Sequence, residues 1–172
     1  MSRILVVYHS RTGYTRRVAL GLAGRLGADL DVIRIVQPMH GPVGYAMCAI
    51  EAVVGLAPAL RRQQKNPAEY DLVVLGTPVW FWSLASPVRS WLEAFGRRGR
   101  RFAFFCTMGG SGAGCVFATM KEMTGQAPLA TLALTDAEID ATTRAKLDAF
   151  VRAIRAGEPR GRGVRKPVHA PA

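Results

Sequence analysis

The stretch Ile4-Leu5-Val6-Val7-Tyr8-His9-Ser10-Arg11-Thr12-Gly13-Tyr14-Thr15 decides the fold, because an apolar strand leads through a short polar loop into a helix. The continuous apolar run 4–8 is typical of a strand buried on both faces of a parallel sheet. Val18, Leu22 and Leu26 then recur at helical spacing until Gly27, which predicts a helix over 15–26. The chain therefore opens as the first half of a β-α-β unit.

The rest of the chain repeats this alternation of apolar strands and helices. Further strands are predicted at 30–36, 72–75, 102–106 and 129–134, and further helices at 45–60 (broken near Pro58), 86–95 and 114–123. A capping box from Thr135 to Glu138 opens a last helix, which ends at Gly157. The pattern predicts the α/β class, with a five-stranded parallel sheet between two layers of helices in a three-layer α/β/α sandwich. The common order for five such strands is 2-1-3-4-5.

The composition predicts one globular domain followed by a basic tail. The chain has 172 residues, 49% of them hydrophobic, and a net charge of +11 from 23 basic and 12 acidic residues. We predict a domain over 1–156 and a mobile, Pro/Arg-rich tail over 157–172. Much of the excess positive charge lies in this tail and in the run 97–101, so the body of the chain does not have the uniformly basic character of a histone-like protein.

Cysteine usage and hydropathy indicate a cytoplasmic protein without a metal site. Cys48, Cys106 and Cys115 have no Cys-x-x-Cys spacing, so we predict neither a disulfide framework nor a zinc site but three buried thiols. The N-terminal residues are too short and too strand-like for a signal peptide. The uncharged stretch 102–120 contains a glycine cluster, which argues against a transmembrane helix.

Ligands of such a sheet lie beyond the carboxyl ends of the strands, where the strand order reverses. The loop after the first strand is rich in hydroxyls and opens a helix, which predicts a phosphate site at the helix N-terminus. One hydroxyl there would only cap the helix, but three hydroxyls and a glycine favour phosphate. Arg11 either assists the phosphate or is solvated. The predicted phosphate residues are Ser10, Arg11, Thr12, Gly13, Tyr14 and Thr15.

Two more loops at the same edge indicate a flat ligand. The loop after the third strand holds three consecutive aromatics, of which one is expected to stack on a planar ring. The loop after the fourth strand is rich in glycine, which allows close approach of the backbone. It is not a Walker A loop, because Cys115 stands where lysine is required. The candidate residues are Thr77, Pro78, Val79, Trp80, Phe81 and Trp82 in the first of these loops, and Thr107, Met108, Gly109 and Gly110 in the second.

With these three loops the sequence resembles the flavodoxin family over roughly residues 3–155. Residues 10–15 match that family's Ser/Thr-x-Thr-Gly-x-Thr phosphate loop, and residues 77–82 and 107–112 are similar to its two other flavin loops. The resemblance implies a flavodoxin-like fold and flavin mononucleotide (FMN) as the cofactor. It places 10–15 on the phosphate, and 77–82 and 107–110 around the isoalloxazine ring.

The chain departs from electron-carrier flavodoxins in two respects. Those proteins are typically acidic, whereas this chain is basic, and the third loop offers no aromatic residue to cover the second face of the ring. The expected function is therefore that of an FMN-dependent oxidoreductase, similar to quinone reductases, which passes electrons or hydride from NAD(P)H or a reductase to a quinone-like acceptor. The alternative is a flavodoxin-type electron-transfer protein without its own substrate. Flavodoxin-fold protoporphyrinogen oxidases are a third candidate.

The flavin itself would perform the chemistry, so no catalytic side chain is predicted. His9 is a candidate for a role there, or else a structural histidine that ends the first strand. Nucleic-acid binding through the arginines leaves the three loops unexplained and is not expected. For residues 37–66 two interpretations stay open, a border of the site or a contact in a homodimer.

Overall fold

The structure of the chain is a computed structural model, and it describes residues 2–36, 58–141 and 143–157. In chain order the elements are β1 (Ile4–Tyr8), α1 (Tyr14–Leu26), β2 (Asp29–Val32), β3 (Leu72–Trp80), β4 (Ser83–Leu84), α2 (Ser86–Phe95), β5 (Phe102–Met108), α3 (Ala113–Thr124), β6 (Thr131–Thr135), α4 (Asp136–Ala141) and α5 (Thr143–Gly157). A short 3₁₀ turn, Pro67–Glu69, precedes β3.

A parallel sheet with the order β2-β1-β3-β5-β6 forms the centre of the molecule. Counted as parallel strands along the chain, this is the order 2-1-3-4-5, so the predicted fold class and topology are confirmed. The two-residue strand β4 was not predicted; it pairs antiparallel with the end of β3. The strand order reverses between β1 and β3, and the loops that follow these strands consequently meet at one edge.

The alternation of side chains along the strands builds two separate cores. Val6 and Tyr8 of β1 face α1 and α5 in what we call the first core, whereas Leu5 and Val7 face α2 and α3 in the second core. All four side chains are buried, as expected for a strand covered on both sides. The sheet is thus the middle layer of a three-layer sandwich.

The predicted second loop is largely a strand. β3 continues from Leu72 to Trp80, so residues 76–80 are extended rather than part of a loop. Its far end remains hydrogen-bonded because β5 pairs with Thr77 and Pro78, and β4 folds back onto Val79 and Trp80. In the same way β5 reaches Met108, so Thr107 and Met108 are strand residues. Pairing with neighbouring strands thus extends β3 five residues, and β5 two residues, beyond the ends that the apolar pattern alone predicts.

Four other predictions need correction or fall partly outside the described residues. The second strand ends at Val32 instead of Val36, although Ile35 still forms an isolated antiparallel bridge with Leu60. That bridge contradicts the end of the predicted helix 45–60, whose part before residue 58 lies outside the described residues. Cys106 is buried as expected, but Cys115 is exposed, because it lies on the outer side of the first turn of α3. Cys48 and residues 158–172, which include nearly all of the predicted tail, are not described.

The predicted capping box after β6 is present. The Thr135 N–H donates to Glu138 Oε2 over 2.9 Å, and the Glu138 N–H points back to Thr135 Oγ1 over 3.4 Å. Lys146 also contacts the Glu138 carboxylate, and these interactions hold the pKa of Glu138 down at about 2. Helical segments α4 and α5 follow on either side of residue 142, and the five apolar side chains predicted to face inward are buried: Ile139, Leu147, Phe150, Val151 and Ile154.

Gly76 allows β3 and β5 to pack at the centre of the sheet. A Cβ atom at this position would lie 2.0 Å from Cζ of Phe105, whose ring covers the glycine. Phe105 is fully buried and cannot move away without disturbing the first core. Any larger residue at position 76 must therefore displace the ring or the strand.

We expect Gly76→Ala to lower the free energy of unfolding by about 1–3 kcal/mol, as overpacking of a buried site does. Gly24→Ala is the matched control, because a Cβ atom on that helical glycine would meet nothing within 4 Å. Alanine has less backbone freedom in the unfolded chain than glycine, so the control should be more stable than the wild type by about 0.5–1 kcal/mol. Urea denaturation of the three proteins measures both changes, and equal stability of the two variants would contradict this account of the packing.

Candidate functional site

The first loop ends in an uncapped helix start at the carboxyl edge of the sheet. Gly13 is the N-cap of α1 with φ of +100°, a backbone conformation that favours glycine, and no described side chain caps the helix. The Ser10 hydroxyl accepts a hydrogen bond from the Gly13 N–H over 3.2 Å, which folds the loop back on itself. The N–H groups of the first turn face outward at the positive end of the helix dipole, an arrangement that suits a bound anion.

The side chains predicted to bind phosphate fall into two groups. Arg11 and Thr12 are exposed and Ser10 is half-buried, so all three can be reached by a ligand. Tyr14 instead packs against the first core, and Thr15 is buried with only 2% of its surface exposed. The Thr15 hydroxyl lies 2.8 Å from the hydroxyl of Thr107 on β5. A ligand could therefore contact Ser10, Arg11 and Thr12 at the surface of the loop, whereas Thr15 is buried behind them.

The turn between β3 and β4 projects two aromatic side chains from the edge of the sheet. Phe81 and Trp82 have φ of +49° and +57°, in the left-handed region that non-glycine residues rarely adopt. They are exposed to 47% and 64%, which is unusual for large apolar side chains. Strained backbone that persists in a structure is characteristic of functional sites. Trp80 differs from them, because it is half-buried and packs on the second core.

A hydrogen bond joins this turn to the glycine-rich loop. The Trp82 indole Nε1–H donates to Ser111 Oγ over 2.7 Å. Gly112, with φ of +110°, lies so close that a Cβ atom there would be 2.9 Å from Cα of Trp82. Between the two loops is an open cleft of about 350 Å³, which is lined by Val79, Trp80, Phe81, Trp82, Gly109, Gly110 and Ser111. A planar ring can enter between the aromatic wall and the backbone wall.

Not every predicted residue lies at this cleft, and one that does was missed. Thr77 is fully buried, and its hydroxyl donates to the carbonyl of Pro78 over 2.9 Å. Thr107 is also buried and faces α1, so neither threonine lines the cleft. Ser111 was left out of the candidate residues, although a hydroxyl inside a glycine-rich loop is a signal that could have identified it. The described residues contain no group of three or more His, Cys, Asp or Glu side chains able to hold a metal ion.

His9 links the first loop to the aromatic turn. Its Nδ1 lies 3.0 Å from the carbonyl of Ile33, and its ring meets that of Trp80 edge-to-face with 5.6 Å between centroids. Since a carbonyl can only accept, Nδ1 carries a proton and Nε2 is the free nitrogen of the neutral ring. Burial lowers the pKa of His9 below its ordinary value of 6.5, and the charge of Arg11 lowers it further. The ring is therefore neutral at pH 7 and acts as a support for Trp80.

The buried thiol near the site is not a nucleophile. Burial raises the pKa of Cys106 to about 12, so this thiol stays protonated at neutral pH. No reactive side chain is thus provided by β5. The described residues at this edge offer a helix start that suits an anion and a cleft that suits a planar ring, so the edge is suited to a bound cofactor that performs the chemistry itself.

A parallel sheet with an anion-binding helix start, an aromatic turn and a glycine-rich loop at one edge defines an FMN-binding α/β sandwich. The chain belongs to the flavodoxin family, whose sequence model matches residues 3–154. This membership confirms the predicted FMN cofactor at the level of the family. Which residues bind FMN remains a prediction, and the glycine conformation, the uncapped helix and the exposed aromatics fit that cofactor.

Solved structures share the fold. A flavoprotein from Lactobacillus acidophilus, crystallised in complex with FMN, is 20% identical with a TM-score of 0.67, covering 81% of this chain and 97% of its own. Oxidised flavodoxin 2 from Bacillus cereus is 18% identical with a TM-score of 0.59, covering 90% of this chain and 99% of its own. At these identities the likeness establishes the fold.

A curated relative points to an activity. An NAD(P)H dehydrogenase (quinone) from Chromohalobacter salexigens is 32% identical over an alignment of 104 residues, which covers 56% of this chain and 48% of the relative. The chain spans about half the length of the curated relatives it matches. The activity in the names of these relatives is a redox reaction, which is the type of chemistry that an FMN cofactor supplies. Among the described residues, no helix has both the length and the apolar character needed to span a bilayer.

The lowered pKa of His9 predicts a pH dependence of stability. The folded state binds fewer protons here than the unfolded state, so the free energy of unfolding is highest above pH 6.5 and falls as pH drops from 6.5 to the lowered pKa. The slope contributed by one group is at most about 1.4 kcal/mol per pH unit. His9→Gln keeps an N–H for Ile33 but cannot titrate, and it should flatten this part of the curve.

Urea denaturation between pH 5 and pH 7 (about the range in which a histidine titrates) measures the effect. The lowered pKa of Glu138 contributes mainly below pH 5, because its stabilisation is lost between the ordinary value of 4.5 and the folded value of about 2. Identical pH profiles for the wild type and His9→Gln would show that His9 titrates normally.

Proposed function

We propose that the protein is an FMN-dependent oxidoreductase that takes electrons or hydride from NAD(P)H or a reductase and reduces a quinone-like acceptor. The observation that carries the proposal is the asymmetry of the cleft. One wall has the exposed aromatics Phe81 and Trp82, whereas the other consists of Gly109, Gly110 and Ser111. Among the described residues, those on the wall opposite Phe81 and Trp82 are small, so the second face of a stacked ring would meet no described aromatic residue. This supports access of a second planar molecule to that face.

The chain's own residues hold the cofactor and shape this opening. Ser10, Thr12 and the first turn of α1 would bind the phosphate, with Arg11 as a nearby cation. Trp82, oriented by Ser111, would stack on the isoalloxazine, while Gly109 and Gly110 let the backbone approach its edge. When bound, FMN supplies the redox chemistry by accepting electrons or hydride and passing them on. None of the described residues that line the cleft carries a carboxylate that would repel anionic donors such as NAD(P)H.

The distribution of arginines counts against the run 97–101 as a docking surface for electron transfer. Arg100 and Arg101 immediately precede β5 and contact Asp71, which precedes β3. They therefore lie at the amino edge of the sheet. The seven residues of β5 separate them from the cleft by about 20 Å at the usual rise per residue. A partner bound at this run would be far from the cofactor edge.

The names of the curated relatives support the same reaction, since they are NAD(P)H dehydrogenases of quinones. A cytoplasmic location and a homodimer are parts of the proposal that rest on the sequence alone.

Steady-state kinetics tests the proposal. The purified protein, with its flavin identified by absorption spectrum and chromatography, should oxidise NADH or NADPH when a soluble quinone is present, and only slowly without it. If FMN is bound but neither nucleotide is oxidised, and a flavodoxin reductase reduces the protein instead, the electron-carrier alternative is correct.

The stacking role of Trp82 is tested by two substitutions. Trp82→Ala should weaken FMN binding by about 0.5–1.5 kcal/mol beyond the loss of contact area, and should relieve quenching of flavin fluorescence. Trp82→Phe keeps a ring but loses the hydrogen bond to Ser111, so it separates stacking from orientation and should have a smaller effect. Fluorescence titration of both variants gives the affinities. Wild-type binding and quenching in Trp82→Ala would assign stacking to another residue.

A further inference from the structure

A buried pair of hydroxyls connects the helix start to the central sheet. Thr15 lies in the first turn of α1 and Thr107 near the carboxyl end of β5, and their Oγ1 atoms are 2.8 Å apart. They are exposed to only 2% and 3%. Thr107 is on the side of β5 that faces α1, as its neighbour Phe105 is. The pair therefore spans the interface between helix and sheet, directly behind the first loop.

The two hydroxyls carry one more proton than the hydrogen bond between them requires. Two hydroxyls carry two protons, and the single hydrogen bond between them takes one. Neither hydroxyl has another hydrogen bond to any residue that the structure describes. The second proton belongs to whichever hydroxyl accepts within the pair. A buried O–H group without an acceptor is costly, so an acceptor is expected next to one of the two threonines.

The location of the two threonines decides which one is left with a proton to donate. Thr107 lies within the sheet, paired in register with Pro78 of β3 and Leu134 of β6. Thr15 lies in the uncapped first turn of α1, where an anion is favoured. If Thr107 donates to Thr15, the remaining proton is on Thr15, beside the anion site. The opposite direction would leave it within the sheet, where no described group accepts it.

On the basis of the proposed FMN site, we propose that Thr107 is a positioning residue for the phosphate. Its hydroxyl donates to Thr15 Oγ1, and this orients the Thr15 proton toward a phosphate oxygen at the start of α1. The negative charge of the phosphate strengthens both bonds of this short chain. The inference revises the prediction from sequence, which assigned Thr107 to the isoalloxazine.

Comparison of FMN with riboflavin tests the proposal, because riboflavin has the same ring but no phosphate. Thr107→Val keeps the shape of the side chain and removes the hydroxyl. It should raise the Kd for FMN by about tenfold, and the Kd for riboflavin by less than about twofold. Thr107→Ser should restore FMN binding. Thr131→Val is the matched control, since Thr131 is exposed on β6, and it should leave both affinities unchanged.

A double-mutant cycle separates positioning from a general loss of stability. In a Thr15→Ala background the proton to be oriented is absent, so adding Thr107→Val should cause no further loss of FMN affinity. If Thr107→Val does not fold, as judged by circular dichroism, Thr107→Cys replaces it. A thiol is a weak donor of similar size, and it should again weaken FMN binding and spare riboflavin.

The results that would contradict the role of Thr107 can be distinguished from one another. Equal loss of FMN and riboflavin affinity in Thr107→Val would overturn the proposal, because it would indicate a contact of Thr107 with the isoalloxazine ring. An unchanged Kd for FMN would also overturn the proposal. A wild-type protein that binds riboflavin as tightly as FMN has no phosphate site, and this overturns the proposal while leaving a flavin function intact. A wild-type protein that binds neither flavin overturns the proposed function and, with it, the role of Thr107.

Discussion

The parallel pairing of β1 with β3 is the constraint on which the rest of the structure depends. Tyr8 lies beside Gly76, and the His9 N–H continues the ladder by donating to the Gly76 carbonyl over 3.2 Å. This register places the end of β1 beside Gly76, so the first loop and the start of α1 follow at the edge of the sheet toward which β3 continues. Gly76 is itself required, because the ring of Phe105 occupies the space of a side chain. One close contact in the middle of the sheet thus aligns three strands whose ends carry the three loops.

Three contacts then join these loops to one another. The ring of His9 meets that of Trp80, the hydroxyls of Thr15 and Thr107 form a pair, and Trp82 donates to Ser111. Each contact joins residues from different loops or strands, so none of the loops is positioned by its own sequence alone. The left-handed backbone at Phe81 and Trp82 costs free energy, and the bond to Ser111 together with the close approach of Gly112 holds it in place. Two exposed aromatic side chains are thereby kept at defined positions before any ligand arrives.

The sequence predicted the strands and helices well where the apolar period decides them, as at Ile4–Tyr8 and Ser86–Phe95, whose bounds agree with the structure. It failed where long-range pairing decides, because the apolar pattern cannot show that β5 and β4 extend β3 as far as Trp80. Thr15 and Thr107 illustrate the same limit in the site. Each was a hydroxyl in the expected loop, but their burial and mutual contact depend on how α1 lies against the sheet. Residue type therefore identified the loops, whereas packing determined what each side chain does there.

The distribution of charge follows from the same geometry. Parallel strands have two chemically different edges, and in this chain the carboxyl edge carries hydroxyls, glycines and aromatics while the amino edge carries Arg100 and Arg101 beside Asp71. Charges about 20 Å apart are separated by roughly two Debye lengths at physiological ionic strength, so the arginines act only weakly on a ligand at the cleft. The charges of Arg100 and Arg101 therefore say little about the chemistry of the cleft. Arg11 lies in the first loop, and Arg16 and Arg17 follow in the first turn of α1. The preference for an anion expected at this edge rests on these residues together with the helix start and the hydroxyls around it.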